Sequence, residues 1–165
     1  MFKQFLLNSI IKEIKICQRL FTKIPMENMD FRPKETTRSM LEILQYLSFI
    51  GTCMLKYWAQ EDETNFGKYF KNLSVAARNL SPDEFLSTMD DQIKTVNNLF
   101  AQISETDLYD KQVMCPWSVM ALGEAILETE IKWLAAYKLQ LFFYLKLSTD
   151  QSLGTPDAWV STEPD

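Results

Sequence analysis

Residues Ser118 to Leu147 read SVMALGEAILETEIKWLAAYKLQLFFYLKL. No other stretch of the chain keeps a helical pattern for so long, and it ends in the most apolar run. At helical rise it would span about 45 Å. Trp133, Tyr137, Gln140 and Tyr144 recur at steps of four, three and four, so they share one face. A helix with that inner face is expected to close a helical bundle and line its interior.

Three more segments carry the same period. Ser81-Pro82-Asp83-Glu84 opens one of them, with Ser81 as N-cap, Pro82 at the first helical position and Glu84 closing a capping box. That helix is expected over 82–103, with Phe85, Met89, Ile93, Val96, Leu99, Phe100 and Ile103 as its apolar side. Another is expected over 37–60, capped by Thr36 or Thr37. Its core stripe is Met40, Ile43, Leu44, Leu47, Ile50 and Met54. Beside that stripe runs a polar row, Arg38, Glu42, Gln45, Ser48 and Thr52, which reads as a solvated flank or as the lining of a pocket between helices. The first helix is expected over 2–23, with apolar residues at 2, 5, 6, 10, 14, 17, 20, 21 and 24.

Between these segments, Pro25 and Pro33 force an extended connection. Phe66, Tyr69, Phe70 and Leu73 suggest a short helix or a flap over the bundle mouth. Glu61, Asp62 and Glu63 read as a solvated helix end. Asp90 and Asp91 point about 100° apart and make no catalytic pair. The tail, 148–165, is expected to be irregular, with Trp159 and Val160 as its anchors. These segments together predict an all-α fold, a four-helix bundle forming one domain over 1–165.

Composition narrows the function classes. A formal charge of −5 speaks against nucleic acid as a partner. No window is apolar enough to span a membrane. The start of the chain lacks a signal-peptide pattern. Its amphipathic first helix would also suit a membrane surface, but a polar face holding Gln4, Asn8, Glu13 and Gln18 favours core packing. Three widely spaced cysteines, Cys17, Cys53 and Cys115, suit buried thiols in a reducing cytoplasm. There is no histidine, which removes the commonest metal ligand and excludes Ser-His and Cys-His catalysis.

Two stretches carry a family resemblance: RLFTKIPMENMDFRPKETTRSMLEILQYL, Arg19 to Leu47, and MALGEAILETEIKWLAAYKLQLFFYLK, Met120 to Lys146. The first is similar to the first-helix exit, aromatic-Arg-Pro linker and second-helix start of the DinB/YfiT-like superfamily. The second resembles that family's last helix, with its Gly-Glu-Ala opening and its Gln-Leu-x-x-Tyr-Leu-Lys ending. The resemblance implies a four-helix bundle that holds a divalent metal on three histidines and works as a thiol transferase or hydrolase. Those ligand positions fall at Gln45, Trp133 and Tyr137. An amide oxygen binds metal weakly, an indole offers no lone pair, and a neutral phenol is a poor ligand. No metal and no cofactor are therefore expected.

Two readings of Trp133 and Tyr137 stand. They fill the space and pack the core, or they line a ligand pocket in which Trp133 is a wall and Tyr137, Gln45 and Gln140 supply hydrogen bonds. A carboxylate metal site from Glu124, Glu128, Glu130 and Glu42 is a further candidate, weakened because Glu-x-x-His pairs are impossible here. The function expected is that of a non-catalytic, metal-free, cytoplasmic bundle binding a small molecule between its helices. The alternatives are a metal-independent enzyme using Tyr137, Glu130 or Glu42 as acid–base groups, and an interaction module acting as a homodimer.

Overall fold

A computed structural model describes residues 1–60 and 65–161. It is mostly helical, with one minor two-stranded sheet. Glu61, Asp62 and Glu63 lie outside the described residues.

Helix α1 runs Phe2–Phe21 and buries Leu6, Ile10, Ile14, Cys17 and Leu20, the expected stripe. Helix α2 is Met40–Ile50, shorter than expected at both ends. It starts at Ser39, not at Thr36 or Thr37. Ser39 Oγ accepts from the Glu42 N–H at 3.1 Å, and the Glu42 carboxylate accepts from the Ser39 N–H at 2.7 Å. This reciprocal box outcompetes the threonines; the Thr37 hydroxyl instead donates to the Lys34 carbonyl at 2.7 Å. At its far end α2 breaks at Gly51-Thr52 and resumes as α3, Cys53–Trp58. Gly51 sits where a side chain would not fit: a Cβ there would lie 2.9 Å from Gln92 Oε1 and 3.3 Å from the Leu134 side chain. The predicted core residues Met40, Ile43, Leu44, Leu47, Ile50 and Met54 are all buried.

Helix α4, Phe66–Ala77, is the expected short helix and packs on α2. Helix α5, Phe85–Gln102, follows a 3₁₀ turn at Pro82–Glu84, with the Glu84 carboxylate on the Ser81 N–H at 3.0 Å as predicted. A one-turn helix α6, Asp107–Asp110, leads into a hairpin, and this corrects the expected helix start at Ser118. Strand β1, Gln112–Met114, pairs antiparallel with β2, Val119–Ala121, with Val113 opposite Met120. Pro116 and Trp117 form the bend, closed by the Cys115 N–H on the Ser118 carbonyl at 2.8 Å. The β-branched and unbranched side chains of Val119 and Met120 suit either state, and strand pairing decides the choice.

The helix proper begins with α7, Leu122–Ile126, passes through a π-helical turn at Leu127–Ile131, and continues as α8, Lys132–Ser148. The tail is not irregular throughout: α9 spans Thr155–Trp159. Leu153 and Ala158 are its buried anchors, while Trp159 and Val160 stay exposed. Asp157 holds it to α1 through Arg19 at 3.5 Å and Lys23 at 3.6 Å.

Helix α1 packs on α5 and α8, and α2 packs on α5 and α8, so one buried apolar cluster draws on all four. No helix among the described residues is long and apolar enough to cross a membrane.

Candidate functional site

Trp133 and Tyr137 do share a face of α8, and that face meets α2 and α4. The Tyr137 ring lies on Tyr46 of α2, centroid to centroid 4.2 Å. Tyr46 also meets Phe49 at 5.2 Å and Phe70 of α4 at 6.1 Å. Trp133 stands edge-on to Phe70 at 6.5 Å and to Trp117 of the hairpin bend at 6.2 Å. Phe70 continues through Phe66 to Tyr57. Such tilted and edge-to-face pairs each add about 1 kcal/mol beyond area burial. Trp133 and Tyr137 are thus each packed on a ring of a neighbouring helix, Phe70 and Tyr46.

Arg38 caps this stack. Its guanidinium carbon lies 4.7 Å from the Tyr46 centroid and 5.3 Å from that of Tyr137, and its Nη1 donates to the Tyr137 hydroxyl at 3.0 Å. Gln140 donates to the Tyr144 hydroxyl at 3.3 Å, and that hydroxyl donates to the Arg38 carbonyl at 3.1 Å. Gln140 thus holds the backbone of Arg38 through Tyr144 and makes no bond to Tyr137. Burial, and then the neighbouring Tyr137, push the Tyr46 hydroxyl well above the ordinary phenol range. Tyr46 was missed in the sequence because it sits between the core stripe and the polar row, where helix phase alone does not assign a face.

Gln45 turns the other way. Its Nε2 donates to the Arg78 carbonyl at 3.0 Å and the Leu80 carbonyl at 3.3 Å, satisfying orphan carbonyls just past the C-terminus of α4. Glu42 accepts from Arg32 at 2.8 Å and from the Ser39 N–H, and that backbone bond, ahead of Arg32, holds its carboxyl below the usual range.

Glu130 is fully buried in the π-helical turn. Its Oε1 accepts from the Leu55 N–H at 2.8 Å, one of the amides left open where α3 starts after the Gly51-Thr52 break. The Thr129 hydroxyl lies 2.6 Å from Glu130 Oε2 and 2.6 Å from the Ala125 carbonyl. Donation from this hydroxyl to the carboxylate favours the charged form of Glu130. Burial pushes this carboxyl up to about 7, against the lowering effect of Thr129 and the Leu55 N–H. Glu124 is exposed and Glu128 pairs with Lys132.

These placements settle what each expected group touches. Gln45 and Glu42 border one groove; Trp133 and Tyr137 lie in a ring stack; Glu130 lies under α3; Gln140 braces Tyr144. They do not converge on one space. A divalent metal does not fit the positions that the DinB/YfiT-like resemblance assigns to it. The Gln45 Nε2 ties the side chain to two carbonyls and leaves one neutral amide oxygen, a weak ligand, and the other two positions are rings packed on rings. Among the described residues no three of His, Cys, Asp and Glu are placed to hold an ion. The cysteines are not activated either. All three are buried and unpaired, and burial pushes the Cys53 thiol up to about 12 and that of Cys115 up to about 11.

The open space lies beside the stack. A groove of about 410 Å³ between α2 and α4 is lined by Arg38, Glu42, Gln45, Tyr46 and Phe49 on one side and Ser74, Ala77 and Arg78 on the other. The polar row continues beyond it: Ser48 and Thr52 line a smaller cavity of about 120 Å³ against α5.

Comparison with known proteins gives a fold and no family. No family model matches the chain, and no curated protein matches it. A crystal structure of an uncharacterized protein from Clostridium difficile 630 is similar, with a TM-score of 0.65 at 19% identity, covering 89% of this chain and 97% of that one. At that identity the likeness concerns the fold alone.

Proposed function

We propose that this chain is a four-helix bundle of the DinB/YfiT-like type that has exchanged its metal centre for an aromatic stack and binds a small molecule in the α2–α4 groove, without catalysing a reaction. The observation that carries the reading is the division between two neighbouring sets of residues. Trp133 and Tyr137 are packed ring on ring with Phe70 and Tyr46, whereas Glu42 and Gln45 border an open groove of about 410 Å³. Ligand pockets fall roughly in the range 300–1,000 Å³ and combine apolar walls with a few polar groups. Tyr46, Phe49 and Ala77 supply the walls here.

Native mass spectrometry of the purified chain tests the metal half of the reading. The expected mass is that of the metal-free polypeptide, and one tightly held divalent ion per chain would sink it. A fragment screen followed by amide shifts tests the groove, with perturbations expected at Gln45, Tyr46, Ser74 and Ala77. Hits that cluster elsewhere would move the site.

A homodimer is the second reading, favoured by one observation. Leu139, Phe143 and Leu147 lie at four-residue steps on α8 and are 43%, 56% and 60% exposed. An antiparallel copy would set Phe143 against its twin and Leu139 against Leu147, as a two-fold interface requires. Light scattering decides it: a monomer at micromolar concentration rejects this reading.

A further inference from the structure

The α2–α4 groove carries a charge pattern that the acidic chain around it does not share. Its one carboxylate, Glu42, is already neutralised by Arg32 at 2.8 Å and by the Ser39 N–H. The two guanidiniums that line it, Arg38 and Arg78, have no such counterpart. Arg38 donates to a phenol and lies over two rings, none of which is an anion. Arg78 gives its backbone carbonyl to Gln45, but its side chain makes no hydrogen bond or ion pair among the described residues. A chain of net charge −5 thus keeps two guanidiniums outside any ion pair among the described residues, on one concave surface that carries a single carboxylate, Glu42, already paired with Arg32. Guanidinium groups present paired N–H donors whose fork matches carboxylate and phosphate oxygens.

We propose that the groove takes a small ligand with an oxyanion head, a carboxylate or a phosphate, carried on an apolar body. This rests on reading the groove as the ligand site. The head lies between Arg38 and Arg78, with the Ser74 hydroxyl as a further donor at the α4 wall. The body lies against Tyr46, Phe49 and Ala77. Gln45 fixes the width of the groove, because its two bonds tie α2 to the end of α4.

Three probes separate the terms in an amide-shift titration: phenyl phosphate, benzoate and benzyl alcohol. Both anions are expected to perturb the amides of Gln45, Tyr46, Ser74 and Ala77, with benzyl alcohol about tenfold weaker or more. Raising the salt concentration is expected to weaken the anions and leave benzyl alcohol unchanged. Arg78→Gln is expected to weaken the anions about tenfold without moving the melting temperature, since that side chain braces nothing in the fold. Tighter binding of phenyl phosphate than of benzoate assigns the head to phosphate, and the reverse order assigns it to carboxylate. Benzyl alcohol binding as tightly as the anions, or Arg78→Gln binding them undiminished, overturns the oxyanion assignment and leaves the groove as a neutral site. No perturbation of groove amides by any probe at millimolar concentration overturns both the assignment and the groove.

Discussion

Tyr137 and Lys138 are neighbours in the chain, yet they face interiors of opposite chemistry. Successive helical residues point about 100° apart, so α8 turns Tyr137 toward α2 and Lys138 toward α1 and α9. On the first flank rings pack on rings, with Arg38 as a cation at the rim. On the second, Lys138 is 1% exposed and lies 2.6 Å from Glu13 Oε2. Neither atom of that contact has a well-aligned hydrogen bond, so attraction is supplied by charge more than by geometry. The Trp159 ring of α9 covers the ammonium at 4.7 Å. The aromatic flank satisfies itself through dispersion and can leave a groove open beside it. The charged flank has taken ions out of water and needs both a partner and a cover.

The largest effect is expected from breaking the charged flank. Lys138→Ala leaves Glu13 without its counter-ion and should lower unfolding free energy in urea by about 3–5 kcal/mol. The double change Lys138→Met with Glu13→Leu should recover most of that. If the single change proves neutral, the buried pair contributes nothing and the contrast between the flanks fails.

Glu130 gives the next effect, and its sign follows from its position. Its folded pKa of about 7 lies above the ordinary carboxyl value of 4.5, so the folded state holds the proton more tightly than the unfolded chain. This contribution is fully present below about pH 4.5, falls as pH rises to about 7, and is flat beyond. Glu130→Gln keeps an acceptor for the Leu55 N–H without ionising. It should match the parent chain near pH 4 and exceed it by up to about 3 kcal/mol at pH 8. Parallel pH profiles for the two chains would show that folding leaves the Glu130 pKa unshifted.

On the aromatic flank, Trp133→Ala should cost about 2 kcal/mol in the same urea measurement, less than a fully buried ring, because Trp133 is half-buried. The smallest change is Trp159→Ala, about 1 kcal/mol, since the ring covers Lys138 while remaining 56% exposed. Hydrogen exchange should rise over 153–159 in that variant and stay unchanged over 40–50.

How far the sequence could be read differs between these regions. The helices at 2–21, 40–50 and 85–102 follow apolar spacing, and the Ser81–Glu84 box stands where its residues predicted. The helix beginning was misplaced wherever a competing partner lay elsewhere in the chain. Ser39 displaced the threonines through Glu42, and Val119–Ala121 joined a strand because Gln112–Met114 was there to pair with it. Within the candidate site, the shared face of Trp133 and Tyr137 was legible. Lys138 carried a signal that went unread: it lies four after Leu134 and three before Leu141, both buried, and so sits on the core stripe itself.

The sequence by itself determined the helical period, the apolar stripes, the lack of histidine and hence the poverty of metal donors at Gln45, Trp133 and Tyr137. These depend on residue type and on spacing within one element. Only the tertiary structure decided that the two rings are packed against α2 and α4 while a groove opens beside them. It also decided that Glu42 pairs with Arg32 and that Arg38 and Arg78 line the same groove outside any ion pair among the described residues. Those outcomes depend on which side chains of distant elements meet, and the π-helical turn at Leu127–Ile131 shifts the helix phase that a regular period would have used to foresee them.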